Sequence, residues 1–496
     1  MGQMRFHVPR RERVSEEAID RAYMAGMEYI PWRTRTTWAE DQLVVEREED
    51  ESGSFYIPWN VQGHGELVLS TTRLMEWPKP YNLPVELARG TLNRLRNQLA
   101  VWQPQGFVPT EDCTAKLKEA TAKFIKAATS LHDPLGAAEQ AEAAIREGLD
   151  AIAVLGKDFV SQVFALRHQQ SPKLGTLLVG DIGTRPLSPT QTKHFLSAFN
   201  SASVSFNWRD VEINEGEHDW TEADKQIEWC RRHGLKICSG PLLHLNQRQF
   251  PDWLYLWEDD FDTIRQYALQ YVEAAVKRYS NVVHIWHCAA GMNTLGTLSL
   301  PEEYKLRLTV DAIETVHKAD TRSAPVVISF DQPWAEYLAR ADLDLSPLHF
   351  ADALVRADLR VSGLGLEVNL GYWPGGTLSR DLLEFNRLID QWSQLGLPLL
   401  FYLTIPSSDA PDSLARPNAK ALANTSPQGL SVKSQLQFAS ELIPMLVSKQ
   451  CVHGVVWNQL CDSQPHEFPH GGLFDNQENP KPALTALAKL RQDHLT

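Results

Sequence analysis

FNSASVSFNWRDVEINEGEHDWTEADKQIEWCRRHGLKICSG, residues 199–240, changes its hydrophobic period twice. SASVSF (201–206) is a short strand-like run, WTEADKQIEWCRRHG (220–234) spaces its apolar residues as an amphipathic helix does, and LKICSG (235–240) returns to a strand. Strand, helix and strand in succession is the unit that builds a parallel sheet, because parallel neighbours need a crossover between them.

The alternation continues on both sides of this unit. Further strand candidates are LGTLLVGDIG (174–183), the extension of LKICSG to PLLHL at 245, VVHIWHCAAG (282–291), PVVISFD (325–331), VSGLGLEVNL (361–370), LPLLFYLTI (397–405) and VHGVVWNQLCD (452–462). Helical stretches such as DDFDTIRQYALQYVEAAVKRYS (259–280) and SRDLLEFNRLIDQWSQLG (379–396) lie between them. Eight apolar strands alternating with helices predict an α/β chain whose residues 173–496 form a (β/α)8 barrel, with strands covered on both faces.

Residues 1–112 read differently. MRFHVP, YIPWRTRTTW, QLVVERE, SFYIPWN and GELVLSTT are strand signals, closed by a helical pattern through Leu87, Leu92, Leu95 and Leu99, so a β-rich module is expected, with a sandwich as one form open to it. Residues 113–172 form a helical connector broken at HDPLG (132–136), with Ile145, Leu149, Ile152, Phe159, Val163 and Leu166 as its buried stripe.

Composition narrows the function classes. The 496 residues are 43% hydrophobic and 22% charged, with a net charge of −14, which describes a globular chain. That balance argues against a nucleic-acid footprint or a polybasic membrane patch, and neutral or cationic partners fit it better. No apolar run approaches a membrane span, and MGQMRFHVPRRERVSEE lacks the apolar core of an export signal, so a cytoplasmic protein is expected. The six cysteines are dispersed without a CxxC, which favours reduced thiols.

In a barrel, working residues sit at the C-terminal strand ends and in the loops beyond. In order, these ends resemble the family 10 glycoside hydrolases, the endo-β-1,4-xylanases. Residues 199–240 look like that family's second strand and helix, FPDWL (250–254) like its third-loop Pro-x-Trp, SFDQ like its fifth strand end with Asp331 matching an Asp, and GVVWNQLCDSQPHEFPHGGLFDNQENPKPAL like its eighth. The resemblance covers residues 174–492 and implies a sugar-binding cleft.

It also implies two catalytic glutamates, at the ends of strands four and seven. Those positions fall on Gly291 and Leu403. Ser203, Val204 and Asn207 replace the family's Glu, Asn and Lys, and its third-strand His falls on Pro241 or Leu242. Retaining hydrolysis needs two carboxyl groups about 5 Å apart, and neither glycine nor leucine supplies one. A carbohydrate- or glycoconjugate-binding protein without standard retaining hydrolysis is therefore the leading expectation. The alternative is an active glycosidase, or another barrel enzyme, with relocated carboxylates at Glu367 and Asp331, on neighbouring strand ends. The plainer and favoured account of Glu367 is a bond to an arginine or a backbone amide at the rim.

Trp457, Trp208, Asn369, His244, Asn458 and Asp462 are the expected substrate contacts; of the tryptophans, Trp457 alone matches one of the family pattern. No metal is expected: His284 and His287 fall on opposite faces of a strand, and His466 and His470 lack further ligands. No cofactor is expected either, since neither GxGxxG nor GxxxxGK[ST] occurs. The sequence leaves the oligomeric state open.

Overall fold

The computed structural model describes residues 2–296 and 298–496. Eight parallel strands form the barrel: β1 (Leu177–Asp181), β2 (Ser201–Val204), β3 (Lys236–Ser239), β4 (Trp286–Ala290), β5 (Val326–Asp331), β6 (Gly363–Asn369), β7 (Leu399–Thr404) and β8 (Val452–Trp457). β8 pairs with β1, which joins the two ends of the strand order. Between β3 and β4 the ladder is carried by a bridge from Cys238 to Ile285 and by the short extension Leu243–His244, paired with Ala289 and Ala290. The third strand is therefore shorter than expected over 235–245, because Gly240–Leu242 leaves the ladder.

Alternation across each strand separates two layers. Outward side chains such as Leu366, Phe401, Leu403, Val455 and Trp457 pack against the surrounding helices in the main core. Inward side chains, among them Val179, Cys238, Val327, Leu400, Tyr402 and Val456, fill the barrel. A Cβ at Gly365 would lie 2.7 Å from both Cβ of Ser329 and Cε2 of Tyr402. The absence of a side chain there lets the Tyr402 ring cross the barrel and reach His287, at 4.8 Å between ring centres.

The amino-terminal segment forms two sheets. One holds Gly2–His7, Thr34–Ala39, Gln42–Arg47 and Tyr81–Asn82; the other holds Tyr23–Ala25, Ser54–Val61 and Gly65–Ser70. They share a core in which Phe6 stacks on Phe55 at 4.9 Å. Helix Leu83–Trp102 closes that core, its first turn capped by Asn82. Helices Glu111–Thr129 and Pro134–Gln170 pack on one another and tie it to the barrel. The stripe on the second helix runs through Ile145, Leu149 and Ile152 as expected, but Leu166 is exposed and Phe164 takes its place. The reason is local: Phe164 stacks on His494, from the last barrel helix, at 4.1 Å.

A buried ionic cluster fastens module to barrel. Arg380, fully buried, lies 2.6 Å from Glu336 and 2.8 Å from the Tyr23 hydroxyl, while Arg94 reaches Asp381 and Glu384 at 2.8 Å each. This docking backs the β6 and β5 loops that border the barrel mouth. No helix of the described residues is long and apolar enough to cross a membrane.

Candidate functional site

The C-terminal strand ends open into a cleft of about 760 Å³, continuous with a second lobe of about 510 Å³. The two lobes share His244, Asn246, Glu367, Asn369, Glu467 and Phe468. The first lobe runs over β1, β2 and β8, past Asp181, Ser203, Asn207 and Asn458. The second runs over β4 and β5, past Gly291, Asp331, Tyr337 and Trp373.

Strand register sets the floor. Asp331 on β5 is the partner of Glu367 on β6, and Glu367 is the partner of Tyr402 on β7. Asn369 follows two residues after Glu367, on the same face, and pairs with Thr404. The Ser329 hydroxyl, fully buried, donates to Glu367 Oε1 at 2.5 Å and lies 2.8 Å from Nε2 of His287. No arginine or lysine forms an ion pair with Asp181, Asp331 or Glu367 among the described residues. The nearby cations are engaged elsewhere. Arg416 bonds Glu467 at 2.7 Å, Arg248 approaches the same carboxylate at 3.8 Å, and Arg340 donates to the Ala22 carbonyl at 2.7 Å.

Proton affinities follow from this poorly hydrated floor. Loss of water raises the Asp331 carboxyl well above its ordinary range, and the charge of Glu367 adds to the effect. Glu367 is also raised by loss of water, against the bond from Ser329. Asp181 is pushed up to about 6 for the same reason. Desolvation lowers His244 to about 4, helped by Arg416, and His287 to about 3, helped by His244. The floor thus offers carboxyls that hold protons unusually well beside imidazoles that stay neutral. Asp331 and Glu367 are register partners, so the charge of one bears on the proton affinity of the other.

Of the residues expected from sequence, Glu367, Asp331, Asn369, His244 and Asn458 border the cleft, and Gly291 lies in its second lobe. Three do not. Trp457 is 1% exposed on the outward face of β8, and its indole donates to the Gly471 carbonyl at 3.0 Å. Trp208 is buried, donates to Glu212 at 2.7 Å and stacks on Tyr271 at 5.2 Å. Asp462 is locked by Lys481 at 2.6 Å and by the Gly472 amide at 2.7 Å, which pins the β8 loop. Each is claimed by internal packing or bonding, and none lines the cleft.

Two further expectations are corrected. Among the described residues Glu367 bonds neither an arginine nor a backbone amide; its partner is the Ser329 hydroxyl, one strand away. Leu403 points into the helical layer, and the side chains that β7 presents to the cleft are Tyr402 and Thr404. Gly291 has a left-handed backbone, φ 63°, and a Cβ there would lie 2.7 Å from Nε2 of His244. The end of β4 is bare because an imidazole from β3 occupies the space.

Sequence reasoning missed Ser329, Tyr402, Arg416, Glu467 and Phe468 as parts of the site. Ser329 carries a recoverable signal, two residues before Asp331 and so on the same strand face. Tyr402 lies on β7 itself, whose two faces are both apolar, while Arg416, Glu467 and Phe468 depend on how the β7 and β8 loops lean together, through His466 on Asp412 at 2.9 Å and Arg416 on Glu467. Among the described residues, no group of three or more His, Cys, Asp or Glu side chains is placed to hold a metal ion.

Comparison with protein families matches residues 188–290 to glycosyl hydrolase family 10. No curated protein matches the chain. Among solved structures it is similar to xylanase 10B from Thermotoga maritima, at 15% identity over 66% of this chain and 97% of that one, with a TM-score of 0.48. It is similar also to xylanase B from Clostridium stercorarium F9, at 16% identity over 63% and 96%, with a TM-score of 0.47. With the match over residues 188–290 and the closed ring of eight strands, the barrel is a glycosyl hydrolase family 10-like one.

Proposed function

We propose that the protein binds an oligosaccharide along the two-lobed cleft and leaves its glycosidic bonds intact. The observation that carries this reading is the identity of the cleft-facing side chains. Retaining hydrolysis sets two carboxyls on either side of the bond, about 5 Å apart. Here β4 presents His287 and Gly291, and β7 presents Tyr402 and Thr404. What remains is a recognition surface. Asn207, Asn246, Asn369 and Asn458 each carry groups that donate and accept, as sugar hydroxyls require, and Trp373 and Phe468 border the second lobe with ring faces. The match of residues 188–290 to a glycosyl hydrolase family supports a sugar as the ligand. All six cysteines are free thiols, which supports a reducing compartment such as the cytoplasm.

Asp331 and Glu367 favour a second reading, a glycosidase whose acids have moved. They are register partners on β5 and β6, and both hold protons above the ordinary range, as an acid/base pair needs. Against it, they stand side by side on one wall of the cleft rather than across it. The test is a glycan panel assayed by calorimetry for binding and by chromatography for products, with Glu367→Gln as control. Saturable binding without products is expected. Products that disappear in Glu367→Gln would select the relocated pair, and silence across the whole panel would remove both readings.

A further inference from the structure

We propose that the ligand of this cleft carries a protonated amine: an oligosaccharide of amino sugars with free ammonium groups. The inference rests on the reading of the cleft as an oligosaccharide site and narrows its substrate class. Its first support is an imbalance of charge. Asp181, Asp331 and Glu367 are half-buried on the floor, open to the cleft, and none is ion-paired among the described residues, while Arg248 and Arg416 in the wall are turned to Glu467. Half-buried carboxyls without a cation are unfavourable as anions, and an incoming cation relieves them.

The second support is independent of the carboxyls. Asn369 is 3% exposed, borders both lobes, and its amide oxygen has no hydrogen-bond partner among the described residues. An acceptor left unsatisfied in a buried place calls for a donor. With Asp331 and Glu367 nearby, the centre of the cleft is rich in acceptors. An ammonium group brings three donors, no acceptor and one positive charge. An acetylated amine brings one donor, an acceptor and no charge, and a uronic acid brings the wrong charge.

Binding of such a cation favours the ionised carboxyls, so protons leave the floor as the ligand enters. Glu467, Arg416, His244 and His287 surround the same floor; both imidazoles are already neutral in the physiological range, so the carboxyls are the source of those protons.

The test uses the full chain and three probes at about pH 6.5: a β-1,4-linked glucosamine tetramer, its N-acetylated counterpart and xylotetraose. Calorimetry in two buffers of different ionisation enthalpy reads affinity and proton release together. The glucosamine tetramer is expected to bind about tenfold or more tighter than either neutral tetramer, with net proton release. Asp331→Asn and Glu367→Gln are each expected to shrink that preference. Because the wild-type preference alone decides, a variant that fails to fold leaves the test intact. Neutral tetramers that bind as well as the charged one overturn the amine while sparing the oligosaccharide reading. Failure of the glucosamine tetramer to bind overturns the amine, and silence across the whole glycan panel overturns the oligosaccharide reading with it.

Discussion

The hydroxyl of Ser329 donates a 2.5 Å hydrogen bond to Oε1 of Glu367. Nε2 of His287 lies 2.8 Å from the oxygen of that same Ser329 hydroxyl. β4, β5 and β6 are thus joined inside the barrel by one polar chain that ends in the cleft. Ser329→Ala removes the donor to Glu367 and leaves Nε2 of His287 without its partner in a buried position. The expected loss is about 1–3 kcal/mol of stability in urea unfolding. Glu367 should also titrate higher, since the Ser329 bond favours its ionised form. Carboxyl NMR reads that shift directly, and an unchanged Glu367 titration would sever the chain.

Asp181 gives a pH dependence of definite sign. Its folded-state pKa is raised to about 6 from 3.8, so the folded protein binds the extra proton between those values. The corresponding stability is fully present below about pH 3.8 and is lost as pH rises through about 6. Asn keeps an oxygen for the Gly183 amide, which now bonds Asp181 at 2.7 Å, but does not ionise. Asp181→Asn should therefore gain on the wild type between pH 4 and 7, by on the order of 1 kcal/mol after solvent screening. His244 and His287 act with the opposite sign. Their lowered pKa values give stability that is present above about pH 6.5 and lost as pH falls toward about 4 and about 3. The wild-type profile blends these effects, so the difference between variant and wild type at pH 4.5 and 7.5 is the measurement that isolates Asp181.

How far the sequence could be read depended on which layer a residue serves. The change of hydrophobic period in residues 199–240 places strand, helix and strand where β2 and β3 stand, and the strand ends lead to Asp331, Glu367 and Asn369 on the cleft floor. Facing direction was the weak point. LLFYLT on β7 is apolar on both sides because helices cover one face and the barrel interior the other, so no alternation tells Tyr402 from Leu403. A slip of one residue reverses the face, and the same ambiguity hides Trp457 at the end of β8. Asp462 misled for another reason: its partner Lys481 lies beyond the β8 loop, and only the folded loop brings them together.

Placing an acid at the end of β4 is not expected to produce hydrolysis. In Gly291→Glu the new side chain starts from a left-handed backbone, φ 63°, with His244 in the way. The backbone strain alone is about 1–2 kcal/mol, before His244 has shifted. A lower midpoint in denaturant and no release of sugar from xylo-oligosaccharides are expected. Cleavage by this single variant would mean that one added acid is enough for the cleft to cut the bond, and would overturn the expectation that strain and His244 keep a side chain at 291 out of position.

Trp373 and Trp457 should separate binding from folding. Trp373 is half-buried at the border of the second lobe, with Arg21 of the amino-terminal module 5.6 Å from its ring centre. Its loss removes a ring face from the cleft while the barrel keeps its core, so Trp373→Ala is expected to weaken oligosaccharide binding about tenfold and to unfold near the wild-type midpoint. Trp457 is 1% exposed within the layer between strands and helices. Trp457→Ala empties that volume and leaves the Gly471 carbonyl without its donor, for a loss of about 3–5 kcal/mol. The protein that remains folded should bind with unchanged affinity, since the indole touches no part of the cleft. Calorimetry on both variants, each with its unfolding curve, checks the pair. Weakened binding by a folded Trp457→Ala protein, with Trp373→Ala unaffected, would move the sugar site from the two-lobed cleft to the eighth strand.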